Sequence, residues 1–391
     1  MLHQAKVVII KIFLIIVGQL PVCSKLILFE SFSGKQYSCN PKAIYEYLLE
    51  NEPQYKMYWS VNKCYIDDFK GKELNIVKRY SLKWLFILGF SKYWITNSRM
   101  PVTLPKPRHT IYVQTWHGTP LKKLVFDMKE VHMPNTTTEA YKADFYKESR
   151  QWDYLISPNA YSSQIFRRAF RFEKKLLECG YPRNDILYTG NYLSNIEKIK
   201  KTLGVPLDKK VILYAPTWRD DQFYQVGSYK FDLPLDLNIL QRRYGNEYVI
   251  LLRMHYLISE YFPLDAYQNF VYDFSVGIDI NELYLISDLL ITDYSSVFFD
   301  YANLRRPVIF YTYDLETYRD KLRGFYFDIE KEAIGPIVKD MTELMTTLEL
   351  FDQEGTFSSY EQAYHDFCEM YCYMENGNST KKFVQCVGLE S

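Results

Sequence analysis

The sequence predicts an α/β protein of two doubly wound domains, each a parallel sheet with helices on both faces. Three observations carry this. Short apolar runs alternate with helical stretches along the chain, the alternation restarts after residues 201–206, and the sign of the charge reverses at the same place. Parallel strands are reached only through crossovers, usually helical, so strand–helix alternation is the signature of a parallel sheet. A length of 391 residues suits two domains, at about 150 residues each. With 48% hydrophobic and 24% charged residues, the chain is not disordered or low-complexity.

The elements follow in order. Residues 7–17 are apolar apart from Lys11, too short a run for a spanning helix of about 20 residues. Lys11 interrupts the apolar centre and no small-x-small cleavage site follows, so an export signal is not expected. Residues 1–24 are therefore expected to form an amphipathic or buried helix, a candidate for the membrane interface. A strand is expected at 25–29, then a helix with Asn40 as N-cap and Pro41 in its first turn, then a strand at 57–61. Residues 78–94 place Trp84, Leu85, Phe86 and Leu88 between Lys78, Arg79, Lys83 and Lys92. Two readings of this segment stay open: a helix lying in a membrane interface, or one packed on the sheet before a strand at 93–96. Strands at 111–115 and 154–157 complete the first domain, 25–198. The second, 199–391, is expected to hold strands at 211–215, 248–252, 289–292 and 308–311, with helices at its C-terminal end. Two such domains are expected to face a central cleft at the carboxyl ends of their strands, where this architecture binds ligands.

The charges sharpen the expectation about partners. The total is 47 Lys+Arg against 47 Asp+Glu, which excludes a nucleic-acid binder working through bulk positive charge. Residues 1–200 nevertheless hold 30 basic and 17 acidic residues, and 201–391 hold 17 and 30. The basic half suits an anionic membrane surface. Seven scattered cysteines without a C-x-x-C pair read as reduced thiols, not a disulfide frame. His365, Cys368 and Cys372 offer three ligands but no evident fourth, so no metal site is expected.

The chemistry is expected where strands end. The strand at 111–115 runs into Trp116-His117-Gly118-Thr119-Pro120, which would point His117 into the cleft as a general base, with Gly118 allowing close approach. The bland reading is a loop histidine hydrogen-bonded to a carbonyl. In the second domain Arg253 and His255 leave one strand on the same face, a pairing suited to a phosphate or diphosphate. Thr217 and Arg219 follow another strand. Asp293-Tyr294-Ser295-Ser296 leads from a strand into a helix, where hydroxyls and free N–H groups hold an anion; a plain N-cap would use the same residues. No P-loop or dinucleotide fingerprint is present.

At these residues the sequence resembles the CDP-glycerol glycerophosphotransferase family, which includes teichoic-acid primases and polymerases and their capsule-cluster relatives. The resemblance rests on six ordered stretches. They are Phe29-Glu30-Ser31-Phe32-Ser33-Gly34 with Asn40-Pro41; Gln114-Thr115-Trp116-His117-Gly118-Thr119-Pro120-Leu121-Lys122; Gly180-Tyr181-Pro182-Arg183-Asn184-Asp185; Tyr214-Ala215-Pro216-Thr217-Trp218-Arg219; Arg253-Met254-His255; and Thr292-Asp293-Tyr294-Ser295-Ser296 through Arg306-Pro307. The resemblance implies a GT-B-like fold of two Rossmann-like domains and peripheral, monotopic attachment to the cytoplasmic face of the plasma membrane. It also implies transfer of glycerol or ribitol phosphate from a CDP-alditol to a polyprenyl-diphosphate-linked saccharide. On it His117 acts on the acceptor hydroxyl and His255 on the donor phosphate. Thr217, Arg219, Arg253, Asp293, Ser295 and Ser296 fall on the donor side, and Gly34, Gly118, Thr119 and Lys122 on the acceptor side or cleft. The CDP-alditol is a substrate and no cofactor is implied. One departure is Glu375-Asn376-Gly377-Asn378-Ser379, where a more acidic Asp-Gly pattern is the family's habit. Two alternatives share the phosphate chemistry: a nucleotide-sugar glycosyltransferase of the same architecture, and a membrane-docked diphosphate-lipid binder without turnover.

Overall fold

The computed structural model describes residues 2–20, 22–131, 136–217, 223–225, 228–229, 233–254, 264–317 and 324–390, with side chains outside 2–7, 223–225, 228–229 and 317. The chain divides into two compact units. The first comprises residues 1–117, 139–185 and 374–391, and the second 118–138 and 186–373.

The first unit is built on seven strands: β1 (Cys23–Glu30), β2 (Lys56–Val61), β3 (Ile76–Lys78), β4 (Ser91–Thr96), β5 (Ile111–Gln114), β6 (Tyr154–Ser157) and β7 (Lys175–Glu178). All pairings are parallel, in the order β3-β2-β1-β4-β5-β6-β7. The second unit carries β8 (Lys210–Ala215), an antiparallel pair β9 (Phe223–Gln225) and β10 (Ser228–Tyr229), then β11 (Tyr248–Leu252), β12 (Val271–Asp273), β13 (Leu289–Thr292), β14 (Val308–Tyr311) and β15 (Ile337–Val338). Its main sheet is also all parallel, in the order β12-β11-β8-β13-β14-β15. Numbered within each main sheet, the first runs 3-2-1-4-5-6-7 and the second 3-2-1-4-5-6, the doubly wound Rossmann order with one strand added in the first. The reversal falls between β1 and β4 in one unit and between β8 and β13 in the other.

Register brings the strand ends level. Glu30 pairs with Thr96, and Thr96 with Gln114, so residues 31, 97 and 115 leave the first sheet on one edge. In the second sheet Ala215 lies beside Thr292 and Tyr214 beside Leu252. The strands themselves are near-continuous apolar runs, as burial on both faces requires.

The segment at 78–94 combines features of both readings. Helix Leu82–Phe90 buries Trp84, Leu88 and Gly89. The Trp84 indole N–H donates to Ser60 Oγ at 2.8 Å, and Ser60 donates to the buried Glu30 carboxylate at 2.6 Å. Burial pushes the Glu30 pKa up and the neighbouring Arg79 cation opposes it. The other face of the helix stays open, with Leu82 77% and Phe86 52% exposed. Helix Leu2–Val17 lies alongside, Phe13 edge-on to Phe86 at 5.3 Å, with Leu14 and Val17 buried and Val8, Ile9, Ile12, Ile15 and Ile16 exposed. No helix among the described residues is long and apolar enough to cross a membrane.

Two sequence expectations need correction. Asn40 is not the N-cap: helix Cys39–Asn51 starts two residues earlier than such a cap implies, with Ser38 at that position. The Asn40 amide is instead committed to distant partners, described below. The expected boundaries, 25–198 and 199–391, also differ from the observed division. Residues 118–138 and 186–198 belong to the second unit, and 374–391 return to the first. The return has a physical cause. Asp185 accepts from the N–H groups of Ser379 and Thr380, both at 2.8 Å, at the start of helix Ser379–Val387. The buried Glu375 accepts from the Tyr181 N–H at 3.1 Å and the Asn184 amide at 2.7 Å. Phe383 and Val384 are fully buried in the first unit's core, which contributes about 1.5–3 kcal/mol each. The Gly180–Asp185 stretch is thus a latch for the C-terminal segment, and Glu375 is its matching group.

Candidate active site

The first unit's candidate site is built on strained backbone. Phe32, Ser33 and Gly34, just after β1, all adopt positive φ (46°, 59° and 79°), and so does Trp116 after β5 (53°). Such conformations cost about 1–3 kcal/mol each for non-glycine residues and persist only where the surroundings over-determine them. Here they do. The Phe32 N–H donates to Asn97 Oδ1 and the Ser33 N–H to Ser98 Oγ, both at 2.8 Å. At Gly34 no other residue fits, since a Cβ would lie 2.7 Å from the Asn62 nitrogen and 2.9 Å from the Ser60 carbonyl oxygen. Gly34 therefore shapes the loop.

Two buried asparagines tie the loops together. Asn97 Nδ2 donates to Ser31 Oγ at 3.1 Å, while its carbonyl accepts from His117 Nδ1 at 2.7 Å. Asn40 Nδ2 donates to the Thr115 and Trp116 carbonyls, each at 3.1 Å, and its Oδ1 accepts from the Arg183 N–H at 3.1 Å. The Arg183 guanidinium stacks on Tyr181 at 4.5 Å and reaches Cys39 Sγ at 3.2 Å. Three of the six sequence stretches thus meet around His117. Asn97 belongs to none of them; its one sequence signal is a polar Thr96-Asn97-Ser98 tail on an apolar strand.

His117 combines the two sequence readings. It is hydrogen-bonded to a carbonyl, as the bland one held, and that bond suits it for base chemistry. A carbonyl oxygen only accepts, so Nδ1 carries the proton and the neutral ring's lone pair is on Nε2. Nε2 has no hydrogen-bond partner among the described residues. The residue keeps an exposed side, yet its ring is stacked on Trp116 at 4.7 Å and met edge-on by Phe32 at 5.6 Å. Desolvation by this crowding is the main force lowering the pKa, to about 4; the Asn97 bond pulls upward and the Arg183 cation adds to the lowering. His117 is therefore neutral at pH 7, as a general base must be before it acts.

The second unit gathers the donor-side candidates at its own switch point. Asp293, the first residue after β13, is 1% exposed and accepts from the Thr217 N–H at 2.7 Å. Ser296 precedes helix Val297–Tyr301 and makes no side-chain cap bond; Ser295 stands beside it, half-buried. That helix has only five residues, so hydroxyls matter more here than a helix dipole. Arg253 emerges after β11 and donates from Nη1 to the Phe274 carbonyl, so part of its capacity holds β12 in place. Burial draws its pKa below the usual arginine range, with Asp279, Tyr284 and Asp273 opposing. Arg219 and His255 lie outside the described residues.

Gly118, Thr119 and Lys122, expected on the acceptor side or cleft, fall in the second unit. A Cβ at 118 would lie 2.8 Å from Ser296 Oγ, so glycine is what allows that approach. Thr119 is buried, and Lys122 Nζ lies 3.5 Å from Thr217 Oγ1. No group of three or more metal-ligating side chains occurs among the described residues. Cys368 and Cys372 are buried side by side and face the Ala302 and Phe299 carbonyls, while His365 is exposed beside Asp366.

Two Rossmann-like units with polar loops at both switch points define an α/β chain of the GT-B-like class. The profile of a family described as CDP-glycerol:poly(glycerophosphate) glycerophosphotransferase matches residues 12–389. The chain belongs to that family. The teichoic acid poly(glycerol phosphate) polymerase of Bacillus subtilis (strain 168) is 58% identical over 372 residues, which are 95% of this chain and 49% of that protein. Its namesake in Bacillus spizizenii (strain ATCC 23059 / NRRL B-14472 / W23) is 56% identical over 374 residues, 95% of this chain and 93% of that protein. The chain thus spans about half the length of the first relative and most of the second. Among solved structures, a variant of the wall teichoic acid polymerase TagF soaked with CDPG superposes with a TM-score of 0.86 at 43% identity, covering 94% of this chain and 89% of that one.

The loop geometry makes a direct prediction. Asn97→Ala keeps the carbonyl that holds His117 but strands the Phe32 N–H and takes one of two bonds from the Ser31 hydroxyl, which still donates to the Ser38 carbonyl. Chemical denaturation should show a loss of about 1–3 kcal/mol, the cost of unsatisfied buried polar groups. A loss below about 0.5 kcal/mol would mean that the left-handed loop is held by something else.

Proposed function

We propose that the chain transfers glycerol phosphate from CDP-glycerol to a hydroxyl at the growing end of a lipid-linked teichoic acid precursor, releasing CMP. The observation that carries the reading is His117, neutral, with Nδ1 tied to the Asn97 carbonyl and Nε2 bearing the lone pair. Family membership and the polymerase relatives support the donor and favour glycerol over ribitol and repeated addition over priming.

The chemistry follows from the residues. The acceptor hydroxyl oxygen attacks the glycerol-bearing phosphorus and a new P–O bond forms. The bond from that phosphorus to the bridging oxygen breaks, and CMP leaves with the bridging oxygen and its electron pair. The hydroxyl proton passes to His117 Nε2 as attack proceeds. Thr217, Arg253, Ser295 and Ser296 bind and neutralise the diphosphate, with Arg219 and His255 assigned to the same task from their motifs. No resident cofactor enters this reading.

The same reading places the protein at a membrane surface, on its cytoplasmic face. Exposed Ile9, Ile12, Ile16, Leu82 and Phe86 on two adjacent helices offer apolar side chains to an interface, with Lys11, Lys78 and Lys83 exposed around them. All seven cysteines are free, Cys23, Cys64 and Cys386 being exposed, which suits the reducing side.

Incubation of the purified chain with CDP-glycerol and a glycerol-phosphate-primed polyprenyl-diphosphate disaccharide should release CMP and lengthen the product by mass. His117→Ala should slow transfer by about 10²–10⁴-fold. Absence of CMP release from the wild-type chain would overturn the activity, and near-full transfer by His117→Ala would overturn the base. Vesicles containing phosphatidylglycerol should retain the chain, less so at high salt and less so for Ile12→Glu or Phe86→Glu. Equal retention of these variants would remove the two-helix surface from the account.

A further inference from the structure

The stretch that follows His117 in sequence belongs structurally to the unit that carries the donor-side residues. The chain leaves the first unit after His117, and residues 118–138 are part of the second. What fixes them there is a short antiparallel contact. Lys122 bridges Phe325, the Lys123 N–H donates to the Gly324 carbonyl at 3.1 Å, and the Tyr326 N–H donates to the Leu121 carbonyl at 2.8 Å. Tyr326 adds two more bonds, its hydroxyl accepting from the Leu124 N–H at 3.0 Å and donating to Asp127 at 2.7 Å. Phe325 in turn lies 5.7 Å from the ring of Tyr294, the second residue after β13.

This fringe sets Lys122 at the second sheet's switch point, the crevice where doubly wound sheets receive ligands. Its Nζ is 3.5 Å from Thr217 Oγ1, two residues beyond β8, and the Thr217 N–H is held by Asp293 just beyond β13. A separation of 3.5 Å is the outer limit of a hydrogen bond. In it the Lys122 ammonium donates to the Thr217 hydroxyl oxygen; an ammonium carries three N–H donors and a hydroxyl that accepts keeps its own hydrogen, so the pair can still turn two donors toward one shared acceptor oxygen. The unit as a whole carries 20 basic against 31 acidic residues, so its net charge repels an anion and binding one there calls for local cations and donors.

We propose that Lys122 is a donor-binding residue whose ammonium, beside the Thr217 hydroxyl, contacts the diphosphate of CDP-glycerol. The assignment rests on the glycerophosphotransferase reading above and narrows Lys122, expected on the acceptor side or cleft, to the donor.

Steady-state rates with donor and acceptor varied separately test it. Lys122→Met should raise the KM for CDP-glycerol by roughly 10–100-fold, the range for a lost charge-assisted hydrogen bond, and leave the acceptor KM within about twofold. Lys122→Arg, which keeps the charge, should recover most of the loss. A raised acceptor KM with an unchanged donor KM would overturn the proposal, as would no change in either. Thermal unfolding gives a second readout that needs no acceptor. CDP-glycerol should stabilise the wild-type chain more than cytidine does, and that difference should shrink in Lys122→Met while its ligand-free midpoint stays put. A wild-type chain that does not bind CDP-glycerol removes the functional reading and this one together. A wild-type chain that binds it, alongside a Lys122→Met variant that binds equally well, removes this one alone.

Discussion

The hydrogen bond from His117 Nδ1 to the Asn97 carbonyl decides what the first switch point can do. It selects the tautomer, puts the lone pair on Nε2 and fixes the ring against Trp116. The carbonyl is held in turn by its own residue's side chain, which bonds the left-handed turn after β1. Strain at Phe32, Ser33 and Trp116 is thus stored between two asparagine clamps, and pre-organised geometry of this kind lets a base act without first reorganising its loop.

The neutral total charge conceals a division that follows the structural units. The first unit holds 27 Lys+Arg against 16 Asp+Glu and the second 20 against 31, a difference of +11 against −11. The basic unit is the one with the two apolar helix faces. In the acidic unit long-range attraction cannot hold an anionic donor, because the net field there is repulsive. On the proposed reading local groups hold it: hydroxyls at Thr217 and Ser296, and the cations Arg253 and Lys122.

Much of the fold was legible because it is written in short-range patterns. The long strands β1, β2, β5, β8, β11, β13 and β14 are apolar runs ended by polar or turn residues. The missed β3, β9, β10, β12 and β15 have two or three residues each, too few for a period, and the missed β7 is a pair of leucines between charged Lys175 and Glu178. His117 was legible as a polar residue at a strand end, whereas its protonation depended on a carbonyl 20 positions away. Asn40 looked like an N-cap because residue type and the following proline favour one; partners 75 and 143 residues distant claimed its amide. The return of the C-terminal segment, and the crossing of the chain between His117 and Gly118, likewise rest on pairings such as Asp185 with Ser379 and Lys122 with Phe325 that no local composition marks.

The most direct test of the account is the protonation of His117 itself. Two-bond ¹H–¹⁵N correlation spectra of the ¹⁵N-histidine-labelled chain, with His117 assigned by its loss in His117→Gln, report both tautomer and pKa. The account predicts a neutral ring protonated on Nδ1 at pH 7, titrating with a midpoint of about 4. An Nε2-protonated ring, or a midpoint near the ordinary histidine value of about 6.5, would contradict it.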